Sequence, residues 1–384
     1  FATLNQPAAI RNLTFGASSS FTVAAGAAEV YFAPFAGRNN GTIENCENDA
    51  PITITGAGTQ KVYAGGIAAW GEENSTVKNC CNKGGIKFEP ESETANAYIG
   101  GIVAYSYGNV DYNQNYGPIV GEPASFSAVY HIGGIVSRQE HGSLTHNINH
   151  KEAYISTNDK SSSSKSYVGG IVGRIEGTPL PATGFNETYA DIYFAPKVES
   201  YVGALQGWQA KVEIGASSIT TLFEGSIVNS NITAYTKGKA ANGNNPCNSA
   251  GFVTGRFSGQ SGKETLHYGN EKDPIKVSGS MYCLQTDTKL IASAKDFQAL
   301  LDGDGSKSSV NKGAVPEADY NTIIYEVVGD GQTGPAEDLI IKTGSVKLSV
   351  PAEGGEATFT ARGNYIMTVK AESDWLEVSN GRKD

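Results

Sequence analysis

Apolar positions along this chain come in bursts of a few residues, broken by Gly, Asn and Ser, and the bursts recur at a near-constant distance. The segments YAGGIAAW (63–70), YIGGIVAY (98–105), HIGGIVSR (131–138), YVGGIVGR (167–174) and YVGALQGW (201–208) are copies of one motif. Weaker copies, YFAPFAGR (31–38) and NSAGFVTG (248–255), flank them. Indexed on Gly66, Gly101, Gly134, Gly170 and Ala204, the copies stand 35, 33, 36 and 34 residues apart; Pro34 lies 32 before them and Gly251 47 after. A second column follows, GTIENCEN (41–48), STVKNCCN (75–82), GNVDYNQN (108–115) and GSLTHNIN (142–149), each closing on Asn. A third apolar patch ends each unit, as in PITIT (51–55), GIKF (85–88) and AYIST (153–157). Three short strands per unit, with no 3.6-residue period between them, predict one coil of a solenoid. Leucine-rich repeats would need more Leu, a Gly-Gly pair would break helical repeats, and propeller blades carry four strands. The pattern therefore predicts an all-β chain: a single-stranded parallel β-helix of about seven coils and three parallel sheets over residues 1–285.

The Gly-Gly pair predicts a corner. Two positions before its second Gly the chain reads Phe32, Ala64, Ile99, Ile132, Val168 and Val202, and one position after it Phe35, Ile67, Ile102, Ile135, Ile171 and Leu205. On one flat strand, columns three residues apart would face opposite sides. Both point inward if the chain turns at the Gly pair, where the missing Cβ permits the turn. Two other columns then point outward: Tyr31, Tyr63, Tyr98, His131, Tyr167 and Tyr201 on one flank, and Arg38, Trp70, Tyr105, Arg138, Arg174 and Trp208 on the other. With coils stacked ~4.8 Å apart, each column becomes a ladder.

Composition agrees with short strands and frequent turns: Gly is 47 of 384 residues and Tyr 19, while charged residues are only 18%. The net charge of −10, without a basic stripe, argues against nucleic acid as a partner. No apolar run is long enough to span a membrane. Five cysteines, Cys46, Cys80, Cys81, Cys247 and Cys283, do not complete a disulfide framework or match a zinc spacing. Cys46 and Cys80 share a column and read as stacked thiols, although a bridge across adjacent coils is also geometrically open to them. The Asn48, Asn82, Asn115 and Asn149 column reads as an asparagine ladder.

The Y-[IV]-G-G-I-V motif followed by G-x-[ILV]-x-N resembles the GLUG-type repeats of bacterial surface proteins over roughly residues 10–280, which implies a right-handed parallel β-helix. The segment 345–384, with Gly354-Gly355, the alternating ATFTA and Asp374-Trp375-Leu376, resembles the first half of a BACON domain, a β-sandwich of Bacteroidetes surface proteins. Tyr365 stands where that family has its first Trp, and the second half of the domain does not follow. The resemblances imply a β-sandwich-like segment over 341–384 and an extracellular or outer-membrane-associated protein, a lipoprotein with its leader removed. Between the two, 286–340 reads as cap and linker, with a short helix opening at Ser293–Asp296.

Catalytic chemistry finds little footing in the sequence. β-Helix lyases and hydrolases need clustered carboxylates, and Asp49, Asp111, Asp159 and Asp191 fall at unrelated coil positions. The Asp302–Ser306 run reads as a solvated turn, and His131, His141, His146 and His150 are explained by their repeat positions without a metal. No catalytic residue, metal or cofactor is assigned. The outward column Trp70, Tyr105, Arg138, Arg174 and Trp208 is the candidate ligand-binding site, for an extracellular polysaccharide or host glycoprotein. Such a site makes the chain a non-catalytic adhesin or glycan-binding protein. The alternatives are a β-helix polysaccharide lyase or glycoside hydrolase, and a passive stalk whose ladders only clamp the coils. A binding ladder would tolerate truncation of Trp70 and Trp208 without loss of stability, whereas a clamp would not.

Overall fold

The computed structural model describes residues 1–26, 28–56, 60–90, 96–121, 129–159, 166–177, 179–196, 200–209, 220–235, 250–257, 266–284, 307–309 and 325–327. Every regular element among them is a β-strand, and the strands stack as a parallel β-helix. Five complete coils start at Val30, Val62, Asn96, Val129 and Tyr167. One coil runs through the strands Val62–Gly65, Ala68–Gly71, Thr76–Lys78, Cys81–Asn82 and Ile86–Pro90. A shorter coil precedes the five, and two less regular ones follow over 201–284.

The coil thus has five strands where the sequence pattern predicts three. The first motif bends at the Gly pair into two strands, which belong to a seven-stranded and an eight-stranded sheet. The second motif bends at Asn45 and Asn79, which adopt φ of 54° and 53°. Its halves enter a six-stranded sheet and a short band of the fourth sheet. The third patch forms a parallel band, and Ile227–Tyr235 runs beside both bands and joins them into one sheet. Register is direct throughout: Tyr63 pairs with Tyr98, Tyr98 with His131, His131 with Tyr167, and Tyr167 with Tyr201. In the last copy Gly251 pairs with Gly203, so Phe252, not Gly251, occupies the index position.

Both predicted inward columns are in the core. Ile67, Ile102, Ile135 and Ile171 are fully buried and share one apolar cluster with Ala64, Ile99, Ile132 and Val168. The index Gly is forced by what lies behind it. A Cβ on Gly134 would sit 2.1 Å from the Gly170 carbonyl oxygen and 2.2 Å from the Asn149 amide. Gly66 and Gly101 meet Asn82 and Asn115 in the same way. The Gly corner is therefore pushed inward until it touches the asparagine ladder on the far wall. That ladder is buried and continuous: Asn48 donates to Asn82 (2.9 Å), Asn82 to Asn115 (2.8 Å) and Asn115 to Asn149 (3.0 Å). Each of the first three also donates to a backbone carbonyl of its own coil, Ala50, Gly84 or Gly117.

A second asparagine column, not apparent in the sequence pattern, lies beside the first. Asn113 donates to Asn147, and Asn147 to Asn186, both at 3.1 Å. Cys46 and Cys80 precede them in this column as free, buried thiols. Burial pushes the Cys80 thiol up, while Cys46, hydrogen-bonded by Cys80, is drawn down to about 7. The turn residues one place earlier, Asn12, Asn45, Asn79, Tyr112, His146, Phe185 and Phe223, all have positive φ. Asn tolerates this conformation; the aromatic residues that replace it stack instead, Tyr112 on His146 at 4.4 Å and His146 on Phe185 at 5.1 Å.

Beyond residue 285, only Lys307–Ser309 and Tyr325–Val327 are described, and both pair with Ile275–Leu284. The capping helix at 293–301, the 302–306 turn and the BACON-like segment 341–384 lie outside the described residues.

Candidate functional site

The inward-pushed Gly corner makes the outer surface concave there. The two outward ladders therefore face each other across the corner and pack edge to face in its first coils, while Tyr167 and Trp208 stack at 4.8 Å and 18°. Tyr63 meets Trp70 at 5.3 Å and 83°, and Tyr98 meets Tyr105 at 5.6 Å and 66°. Together with Ala69 and Ala104, these rings form a small apolar cluster on the outside of the coil. Outward pointing is thus not the same as exposed: Tyr63, Tyr98, Tyr105, His131 and Tyr201 are all buried.

Along the axis each ladder is stacked. Tyr31, Tyr63, Tyr98 and His131 follow one another at 4.7, 4.8 and 4.5 Å. In the candidate column, Trp70 lies on Tyr105 at 4.3 Å, and the Arg138 guanidinium covers the other side of Tyr105 at 4.8 Å. Arg174 lies over Trp208 at 4.3 Å, and Arg38 over Trp70 at 5.6 Å. All five predicted residues, Trp70, Tyr105, Arg138, Arg174 and Trp208, share one strand position in consecutive coils. Register extends the column to Thr3 at one end and Arg256 at the other. Flat surfaces face the neighbouring coils, and only rims reach solvent. Burial draws the Arg174 guanidinium down to about 10, and the nearby Arg138 adds to the effect.

A further column completes the site: Asn40, Glu72, Tyr107, Glu140 and Glu176, six positions after the index. Arg138 pairs with Glu140 at 2.7 Å and also with Glu176, and Arg174 pairs with Glu176. Tyr105 donates its hydroxyl to Glu140. Burial raises the Tyr105 phenol far above its ordinary range. At the N-terminal end these ties loosen: Arg38 and Glu72 stand 3.8 Å apart, with side chains 46% and 39% exposed, against 19% and 15% for Arg138 and Glu140. The acidic column was legible as a repeat, but the Tyr and Asn within it mask its charge.

The histidines do not converge. His131 sits in the tyrosine ladder, His146 at the strained turn, and His150 on the Tyr116 ring at 3.8 Å with its Nε2 2.9 Å from Gln114. His141 places Nδ1 3.2 Å from the Pro179 carbonyl. Among the described residues, no three His, Cys, Asp or Glu side chains are arranged to hold a metal ion. Nor is any described helix long and apolar enough to cross a membrane. Comparison with family models, curated proteins and solved structures gives no match to this chain.

Proposed function

We propose that this chain is a non-catalytic adhesin or glycan-binding protein displayed at a bacterial cell surface, and that the concave corner is its recognition face. One observation carries the reading: six consecutive coils, from Arg38 to Trp208, each place an aromatic or a cationic side chain at one outward strand position. Because ring faces are already occupied, an extracellular polysaccharide or glycoprotein glycan is met by ring edges and by guanidinium and carboxylate groups, which suit sugar hydroxyls. Coil spacing of ~4.8 Å lets a linear glycan touch successive coils, so binding grows with chain length.

Support for a lyase or hydrolase is weaker, because two of the corner's carboxylates, Glu140 and Glu176, are engaged by Arg138, Arg174 and Tyr105. A passive stalk is favoured by the sandwiching of the rings, which clamps the coils. Truncating Trp70 and Trp208 to Ala would lower stability under either reading, since both rings are packed. Trp70→Phe with Trp208→Phe keeps a ring in each stack while trimming its rim. Affinity electrophoresis against a panel of bacterial and host polysaccharides is the test. Retardation of the parent, reduced in the double Phe variant at unchanged melting, is the expected result. A parent that no polysaccharide retards is a stalk.

A further inference from the structure

The N-terminal end of the corner differs from the rest of it. There the ladder opens into a cleft of about 440 Å³ lined by Thr3, Asn5, Arg38, Asn40, Glu72, Glu73 and Asn74. That size falls in the ~300–1,000 Å³ range of small-molecule sites, but the lining is a hydroxyl, three amides, one guanidinium and two carboxylates instead of apolar side chains. Its walls are held by backbone bonds: Asn40 N–H donates to the Leu4 carbonyl at 2.7 Å, Glu72 N–H to Asn39 at 2.8 Å and Ser75 N–H to Glu72 at 2.9 Å. Gln6 ties the Asn74 carbonyl from the opposite side at 3.3 Å. The cleft is thus formed before any ligand arrives.

Two features point to a ligand. Asn40 Oδ1 is buried at the wall without a hydrogen-bond partner. Arg38, unlike Arg138 and Arg174, is nearly half exposed, and its two polar contacts are long: 3.4 Å to the Tyr31 hydroxyl and 3.8 Å to Glu72. The cleft therefore sets an unpartnered acceptor beside a guanidinium held only by long contacts. Amides, a hydroxyl and a guanidinium next to carboxylates match a molecule that carries many hydroxyls, each able to donate and accept. Arg38 against Glu72 and Glu73 leaves a formal charge of −1, which disfavours an acidic ligand.

We infer that this cleft is the primary binding site for a neutral pyranose, taking one or two sugar units at the mouth of the corner, while the stacked column beyond it supports a longer chain. The inference rests on the glycan-binding reading and adds to it a location and a preference for neutral over uronic-acid sugars.

The test uses the whole chain, saturation-transfer NMR with neutral gluco-, galacto- and manno-oligosaccharides, and an oligouronate for comparison. Glu73 and Asn74 are exposed and lie outside the ladder, so Glu73→Ala with Asn74→Ala leaves the stack intact. Saturation transfer to a neutral oligosaccharide, weakened about tenfold in this variant at unchanged melting, is expected. Arg38→Ala is expected to weaken it likewise. Binding retained by both cleft variants but lost in Trp70→Phe/Trp208→Phe overturns the cleft and leaves the corner reading standing. Preference for the oligouronate also overturns the cleft, as does binding abolished by a chelator, which would assign the contact to a bound cation. Transfer to none of the sugars overturns both readings.

Discussion

Replacing Asn115 by Ala tests how the coils are held together, and the structure fixes the size of the effect. Asn115 is fully buried. Its amide nitrogen donates to the Gly117 carbonyl at 3.1 Å and to Asn149 Oδ1 at 3.0 Å, while its oxygen accepts from Asn82 at 2.8 Å and from the Gly117 N–H at 3.2 Å. The Gly117 N–H keeps a second acceptor, the Asn82 carbonyl, at 3.2 Å. Truncation therefore strands one N–H of Asn82 and removes the donor to Asn149 Oδ1. Each stranded buried group costs about 1–3 kcal/mol, so the variant should lose about 2–6 kcal/mol. Asn115→Asp should lose more at neutral pH, because a carboxylate would then oppose two oxygens at these distances. Its carboxyl is raised above the unfolded value, so this loss shrinks as the pH falls toward 4 (about the pKa of a free Asp). Urea denaturation followed by circular dichroism measures the total. Amide exchange at Asn82, Gly117 and Asn149 shows whether the damage is local, which matters because long repeat arrays need not unfold in two states. A loss below about 0.5 kcal/mol for Asn115→Ala, the range of an ordinary surface change, would refute the view that the ladder ties coil to coil.

Two further outcomes follow from the same columns. His131 is buried between Tyr98 and Tyr167 and faces Arg138 and Arg174; burial, then these two cations, holds its pKa well below the usual value. The unfolded chain takes up this proton below about pH 6.5 and the folded chain does not, so stability present above that pH is lost as the pH falls, by up to about 1.4 kcal/mol per unit. His131→Tyr, the residue of the neighbouring coils, should remove this part of the acid slope in melting experiments between pH 7 and 4.5; an unchanged slope would exclude His131 as its source. Cys80→Asn should extend the second asparagine column, since Asn113 already donates to the Val77 carbonyl at 3.0 Å and Cys80 Sγ reaches only 3.7 Å to the equivalent Ile43 carbonyl. A gain of about 1 kcal/mol in urea midpoint stability is expected, and a net loss would mean that the column cannot take the larger side chain there.

Period, strand direction, the Gly corner and both inward columns were legible in the sequence because each is a repeated residue type at a fixed offset. Ile67, Ile102, Ile135 and Ile171 needed no coordinates. Five strands instead of three were not legible. The bend at Asn45 and Asn79 recurs as Tyr112, His146 and Phe185, so one backbone geometry hides behind four residue types. The second asparagine column escaped for the same reason, starting as Cys46 and Cys80. The candidate column was placed correctly as a ladder, but the burial of Tyr105 and the half-burial of the other four were not foreseen. Alternation tells which face a side chain leaves from, and only the depth of the Gly–Asn contact tells that this face is concave. The cleft was beyond sequence reasoning altogether, since it depends on Thr3 pairing with Arg38 across 35 residues outside the main motif.

The direct register has a consequence for how such a molecule lengthens. Differences in coil length fall between strands, between Ile86–Pro90 and Asn96–Gly100 for instance, so a coil can be copied without disturbing the pairing on either side. What the copy meets is decided by the corner. A duplicate of the Trp70 coil would set indole on indole, and one of the Arg138 coil would arrive with its own Glu140 to neutralise it. The rims thus act as a grammar of adjacency, in which a new coil is admitted wherever it brings a ring for a ring or an acid for its cation. Duplication of a lone Arg coil without its acid is the insertion this grammar forbids.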